Sequence, residues 1–187
     1  MLKQKRKVFP GLMCDGIEMF NDGAQLRVFR GGKLTSFKDL PVYYIEIIRE
    51  AITASPDIEL HLQVMHPDSE MKRIEQFAIC NFSGLDHEPD IKAGVLQKGE
   101  YWDCPIRDLC PADGIVCTAL EYNGHKILGR EVQLIKLLTT ALTNEAICLA
   151  MKLPAGSLET LRTKIYKKLG VQTKQEVAII ALSLNII

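Results

Sequence analysis

Apolar residues recur at helical spacing along the last third of the chain, in bursts separated by short polar breaks. A spacing of three or four positions places side chains on one face of an α-helix, so the first three bursts predict three helices. The capping box formed by Thr173 and Glu176 marks the start of a fourth. The apolar positions are Val132, Ile135 and Leu138; Ile147 and Met151; Leu158, Leu161, Ile165 and Leu169; and Val177, Ile179, Ile180, Leu182, Leu184 and Ile186.

The first 120 residues mix helical spacing with the two-residue alternation that is typical of strands. In chain order the pattern predicts a hairpin around Gly31-Gly32, a helix over residues 39–55 and a strand over 58–64. A second helix is predicted after Pro67-Asp68, ending near residues 80–84, and a loop over 83–99. This order favours an α+β domain over residues 1–120, followed by an all-α domain over 121–187.

The break between the second and third predicted helices consists only of residues 153–156. A connection this short does not let two helices lie antiparallel with a loop between them, so they are expected to cross steeply, as in a helix-turn-helix.

Length and composition restrict the class of protein. A chain of 187 residues with 47% apolar content can form one packed domain or a small pair. No apolar run approaches the roughly 20 residues that a membrane helix needs, and the basic residues 3–7 are not followed by a signal-peptide core. We therefore expect a soluble cytoplasmic protein without a membrane partner.

Charge is distributed unevenly although the formal net charge is zero. Residues 121–187 carry nine Lys and Arg against five Asp and Glu, while residues 1–120 carry fourteen against eighteen. Because cationic side chains release counterions from duplex DNA, residues 121–187 are the part of the chain suited to bind it.

Several residues in the last third of the chain match a known family pattern in type and spacing. They are Arg130-Glu131, Leu142-Thr143-Asn144, Ile147, the run Ile165-Tyr166-Lys167-Lys168-Leu169-Gly170-Val171, and Thr173 with Glu176. This third of the chain resembles the LuxR-type (GerE-type) DNA-binding domain. The resemblance implies a four-helix helix-turn-helix fold, a Glu131 that supports the fold from within, a third helix that enters the major groove of duplex DNA, and a homodimer through the last helix.

The outward side of the third helix supplies the candidate DNA contacts. Its lysines can neutralise phosphates, and its hydroxyls can bond phosphates or base edges. Glu159 can accept from a cytosine amino group, and Thr143 caps the second helix where a phosphate can sit. The predicted DNA-binding residues are Thr143, Asn144, Ser157, Glu159, Thr160, Thr163, Lys164, Lys167 and Lys168.

Three cysteines lie within residues 104–117, and two of them precede proline. Stiff, non-helical Cys-Pro segments can turn thiolates inward, so we expect a structural zinc site, with an iron–sulfur cluster as the alternative ion. Simple packing of the thiols in a compact loop is the other interpretation. The predicted ligands are Cys80, Cys104, Cys110 and Cys117, with Cys14, His87 or His125 as alternatives to Cys80.

These patterns together predict a sequence-specific transcriptional regulator whose first domain has a structural or sensory role. The alternative is an adaptor in which the helix-turn-helix docks a protein instead of DNA. The sequence shows no nucleophile–base pair and no ligand set typical of a catalytic metal, so we do not expect an enzyme.

Overall fold

The computed structural model describes residues 9–11, 15–184 and 186–187. In these residues the fold is mixed α+β, with seven α-helices, one three-stranded sheet and two two-stranded sheets. The chain divides into two compact units: Met1–Cys104 with Ile115–Thr118, and Pro105–Gly114 with Ala119–Ile187. None of the described helices combines the length and the apolar character needed to cross a bilayer.

The first unit begins with an antiparallel sheet of three strands, β1 (Glu18–Asn21), β2 (Leu26–Arg30) and β3 (Lys33–Ser36). Gly31 and Gly32 connect β2 to β3 with φ of 56° and 76°, a left-handed conformation that glycine adopts without steric penalty. The hairpin predicted at this position is therefore confirmed.

Three helices follow the sheet: α1 (Val42–Thr53), α2 (Pro56–Met65) and α3 (Glu70–Asn81). The predictions of α1 and α3 are confirmed. The strand predicted over residues 58–64 is wrong, because these residues form most of α2. Leu62 is the one residue of α2 that is fully buried, while Leu60 and Val64 are exposed.

The rest of the first unit is held together by two short strands and by a buried asparagine. The predicted loop contains β4 (Ile91–Lys92) and β5 (Val95–Leu96), which pair antiparallel. The Asn81 amide nitrogen donates to the Val116 carbonyl at 2.9 Å, and the Thr118 N–H donates to the Asn81 amide oxygen at 3.2 Å. Asn81 thereby fixes the segment Ile115–Thr118 to the end of α3.

The second unit contains a hairpin, formed by β6 (Leu120–Tyr122) and β7 (His125–Ile127), and four helices. These helices are α4 (Gly129–Leu138), α5 (Asn144–Met151), α6 (Ala155–Leu169) and α7 (Lys174–Ser183). The first three helices lie where the apolar spacing predicts them, and α7 begins directly after Thr173, at the predicted capping box. The unit also includes Pro105–Gly114, which the sequence assigned to the domain upstream.

Candidate nucleic-acid interface

The buried and exposed residues of α6 lie on opposite sides of the helix. Leu158, Ile165 and Leu169 are buried, and their spacing places them on one face. Leu161 was predicted to be buried with them but is only half-buried. The side of α6 opposite these leucines and Ile165 is open to solvent.

This open side carries six of the seven α6 residues that were predicted to contact DNA. We refer to them as the α6 row: Ser157, Glu159, Thr160, Thr163, Lys164 and Lys167. The Thr160 hydroxyl donates to the Gly156 carbonyl at 2.9 Å, so its oxygen remains available as an acceptor. The Lys164 ammonium lies 3.2 Å from a Glu131 oxygen, but the side chain is 58% exposed and can still meet an external anion.

Lys168, the seventh predicted residue, is engaged inside the unit. Its Nζ donates to both carboxylate oxygens of Glu131, at 2.7 and 2.6 Å, and to the Lys126 carbonyl at 2.7 Å. The side chain is 18% exposed. These contacts satisfy all three protons of the ammonium group, so Lys168 stabilises the unit and is not included in the α6 row.

Glu131 is the buried partner that joins α4 to the last turn of α6. It is 2% exposed, and it also accepts from the Leu128 N–H at 2.9 Å at the start of α4. Burial alone would raise the pKa of Glu131, but the hydrogen bonds from Lys168, Leu128 and Lys164 outweigh burial and hold the pKa below its usual value. The carboxylate is therefore charged at neutral pH.

The starts of α5 and α6 differ in how they are capped. The Thr143 hydroxyl accepts from the Ala146 N–H at 3.3 Å, so Thr143 caps α5 as predicted, and Asn144 is exposed beside it. α5 ends at Met151, and the next residue, Lys152, has a left-handed φ of 53°. Pro154 provides no side-chain cap for α6. The first N–H groups of α6 therefore have no side-chain acceptor at the Ncap position.

An open groove of about 410 Å³ lies between the start of α4, the turn before α6 and the first half of α6. Leu153 and Leu161 contribute apolar surface, and the cationic side chains at its edge are Arg130 and Lys164. Gly156, Ser157 and Thr160 complete the lining. Arg130 was not among the predicted DNA-binding residues, because nothing in the sequence indicates that it lies beside the α6 row.

Glu159 forms an ion pair with Arg162, one turn further along α6, at 2.7 Å. Glu159 is 59% exposed and Arg162 is 27% exposed. The pair partly neutralises the one acidic member of the α6 row. An anion approaching the row therefore meets less repulsion than the sequence alone suggests.

The segment Pro105–Gly114 supports the start of α4. The Gly129 N–H donates to Asp113 Oδ2 at 2.6 Å, and Asp113 Oδ1 pairs with the Arg107 guanidinium at 3.1 Å. Arg107 and Asp113 have side chains that are 4% and 9% exposed. Because Leu128 has no side chain that can cap the helix, Asp113 supplies the anionic acceptor from sixteen residues upstream.

The predicted metal site has no geometric support in the described residues. No three His, Cys, Asp or Glu side chains there form a group that could hold an ion. Cys80, Cys104 and Cys117 belong to the first unit and Cys110 to the second, while Cys14 lies outside the described residues. Zinc, or an iron–sulfur cluster, remains a prediction from cysteine spacing, and elemental analysis of anaerobically purified protein tests it.

Comparison of the chain with protein-family models, with curated proteins and with solved structures gives no match. The interpretation of the interface therefore depends on its own geometry.

Proposed function

We propose that the second unit is a LuxR-type helix-turn-helix module and that the protein is a transcriptional regulator that reads duplex DNA with α6. The observation that carries this proposal is the α6 row, in which hydroxyls and ammonium groups share the solvent-exposed side of a helix whose other side is buried. A helix of this kind can enter the major groove and present these groups to bases and phosphates.

In this arrangement Lys164 and Lys167 neutralise phosphates. Ser157, Thr160 and Thr163 bond phosphates or base edges. Thr143 and Asn144 lie at the exposed start of α5 and contact the adjacent DNA backbone. The dipole of α5 favours a phosphate at this position. Glu159 discriminates among bases by accepting from a cytosine amino group.

A homodimer through α7 would double this phosphate contact. Val177 and Ala181 fill the core of the unit, while Ile179 and Leu182 are 67% and 61% exposed. Two copies of α7 related by a two-fold axis would bury these side chains against each other. Each copy would then present one α6 row to one half-site.

The test is fluorescence anisotropy on a labelled mixed-sequence duplex, followed by selection of preferred sequences from a random pool. For about four phosphate contacts, log Kd should rise with log salt concentration with a slope of about 4. Lys167→Ala should weaken binding to all duplexes and lower that slope by about 2, because the dimer loses one phosphate contact in each subunit. Lys72→Ala, which removes an exposed lysine from α3 of the first unit, is the matched control and should change neither quantity.

The second candidate function is an adaptor that docks a protein partner on the same face. The apolar surface of Leu153 and Leu161 in the groove favours this function, because leucine side chains offer no group that binds a phosphate. The second proposal would replace the first if the protein bound no DNA at concentrations where it is dimeric and retained one defined protein partner in a pull-down.

A further inference from the structure

A pair of reciprocal hydrogen bonds joins β1 to the segment that precedes β4 in the first unit. The Asp86 N–H donates to Glu18 Oε1 at 3.0 Å, and the Met19 N–H donates to Asp90 Oδ2 at 2.6 Å. Each side therefore supplies a carboxyl group to the backbone of the other. An antiparallel bridge between Ile17 and Ile91 continues the contact.

A third carboxyl group ties the same segment to the residues after β5. Glu100 Oε1 accepts from the Gly84 N–H at 2.6 Å, and the Glu100 N–H donates to the Asn81 carbonyl at 2.9 Å. The carboxyls of Glu18, Asp90 and Glu100 thus hold three stretches of the first unit together through backbone N–H groups.

These carboxyls have no cationic partner in the part of the chain that the structure describes. The charged groups that act on them are one another and Asp86, all of them acidic. Glu18 is 1% exposed and Asp90 is 7% exposed, and the Glu18 Oε2 atom is buried with no hydrogen-bond partner among the described residues. A buried carboxylate without a counter-charge is strongly unfavourable, and a proton removes that charge.

The direction of the pKa shifts agrees with this geometry. Burial, followed by the charges of acidic neighbours, raises the pKa of Glu18 to about 8 and the pKa of Asp90 to about 9. Burial, together with Asp86, raises the pKa of Glu100 to about 7. Their backbone hydrogen bonds oppose these shifts but do not cancel them.

We propose that Glu18, Asp90 and Glu100 form a proton-operated latch, which holds β1 to the segment 84–100 while the carboxyls carry protons and loosens that contact when they lose them. A proton fits this role better than a metal ion, because no three of these carboxyls are arranged to hold an ion. The latch would make the first unit responsive to a rise in pH, and it does not depend on the proposed DNA-binding function.

The sign of the effect follows from linkage. A carboxyl whose folded-state pKa is raised holds a proton that the opened state releases, so opening becomes easier as pH rises from the ordinary pKa to the raised one. The ordinary values are 4.5 for glutamate and 3.8 for aspartate. Protection of the latch is therefore greatest at low pH, declines through neutrality and levels off above about pH 9.

Hydrogen exchange of the full-length protein measures the latch directly at the Met19, Gly84 and Asp86 amides. After correction for intrinsic exchange, their protection should fall about tenfold per pH unit for each carboxyl that is neutral when closed and ionised when open. Glu18→Gln and Asp90→Asn keep the shape of the side chains and remove the titrating proton, so each should make this fall about tenfold less per pH unit. Glu59→Gln, an exposed position on α2, is the matched control and should behave like the wild type.

Infrared spectroscopy of the wild-type protein provides a second measurement that needs no variant. A band from protonated carboxyl groups should be present at neutral pH and disappear on alkaline titration. Absence of that band, or the same pH dependence of protection in the wild type and in the double variant Glu18→Gln/Asp90→Asn, would overturn the proposal. Restoration of protection at alkaline pH by Mg²⁺ or Ca²⁺ would also overturn it, because the cluster would then be a cation site.

Discussion

Lys168 donates to both carboxylate oxygens of Glu131, so the last turn of α6 is joined to the first turn of α4 across 37 residues of sequence. This pair lies at the base of the helix that carries the α6 row. Because Glu131 is buried and Lys168 is nearly so, the pair is shielded from solvent screening and fixes the direction of α6.

Lys168→Met should destabilise the second unit by about 2 to 4 kcal/mol, because it leaves the buried carboxylate of Glu131 with fewer donors. Lys167→Met, the neighbouring exposed lysine, should change stability by no more than about 0.5 kcal/mol. Native-state hydrogen exchange of the α6 amides measures both values. Equal effects of the two substitutions would mean that the Lys168–Glu131 pair does not stabilise the unit.

Acid should loosen the start of α4. The pKa of Glu131 is held below its ordinary value of 4.5, so its contribution is complete above that value and is lost as pH falls through the lower, folded-state pKa. Exchange protection of the Leu128 amide, which donates to Glu131, should decrease over that acidic range. Glu131→Gln should remove this pH dependence, and retention of it in the variant would assign the effect to another group. The expected trend is opposite to that of the latch in the first unit.

Helices α4, α5 and α6 were predictable because each carries an apolar face, and α7 was predictable because it begins at the capping box of Thr173 and Glu176. The α2 helix was not, because Ile58, Leu60, Leu62 and Val64 alternate as in a strand. Ile58 and Leu62 are four residues apart and share the inner side of the helix, while Leu60 and Val64 remain exposed. The helix-start signals of Pro56 at the first position and Asp57 in the first turn were present in the sequence.

The candidate interface, too, was predictable from the sequence only in part. The exposed α6 row follows from helix periodicity alone, since a residue's side of a helix is set by its position. The internal roles of Lys168 and Asp113 depend on contacts with residues far away in sequence, Glu131 and Gly129. Neither partner lies within the four residues over which helical spacing is informative. The β6–β7 hairpin carried a local signal that was overlooked, the Asn123-Gly124 dipeptide, whose residues both have positive φ.

Gly129→Ala should destabilise the second unit, because the new Cβ would lie 2.5 Å from Arg107 Cγ and 2.8 Å from its carbonyl carbon. The backbone of Arg107 cannot move aside without disturbing its ion pair with Asp113. Gly156→Ala is the matched control: nothing lies within 4 Å of the new Cβ, and alanine should raise stability by up to about 1 kcal/mol. Exchange protection of the α4 and α6 amides measures the stability of both variants. A Gly129→Ala protein as stable as the wild type would show that the close packing of Pro105–Gly114 on α4 is not required.

The proposed dimer predicts that an acidic side chain on the exposed side of α7 separates the subunits. Leu182→Glu and Ile179→Glu should each give a monomer in sedimentation equilibrium, because a carboxylate buried in an interface lacks a counter-charge. Both positions are more than half exposed in the single chain, so folding of the unit should be unchanged. Leu149→Glu makes the same kind of change at an 82% exposed position on α5 and should remain dimeric.

In the DNA titration the monomeric variants should bind a duplex more weakly and with about half the salt slope, because each complex would contain one α6 row instead of two. A wild-type protein that is monomeric at all concentrations would refute the dimer while leaving the α6 row available for a single half-site.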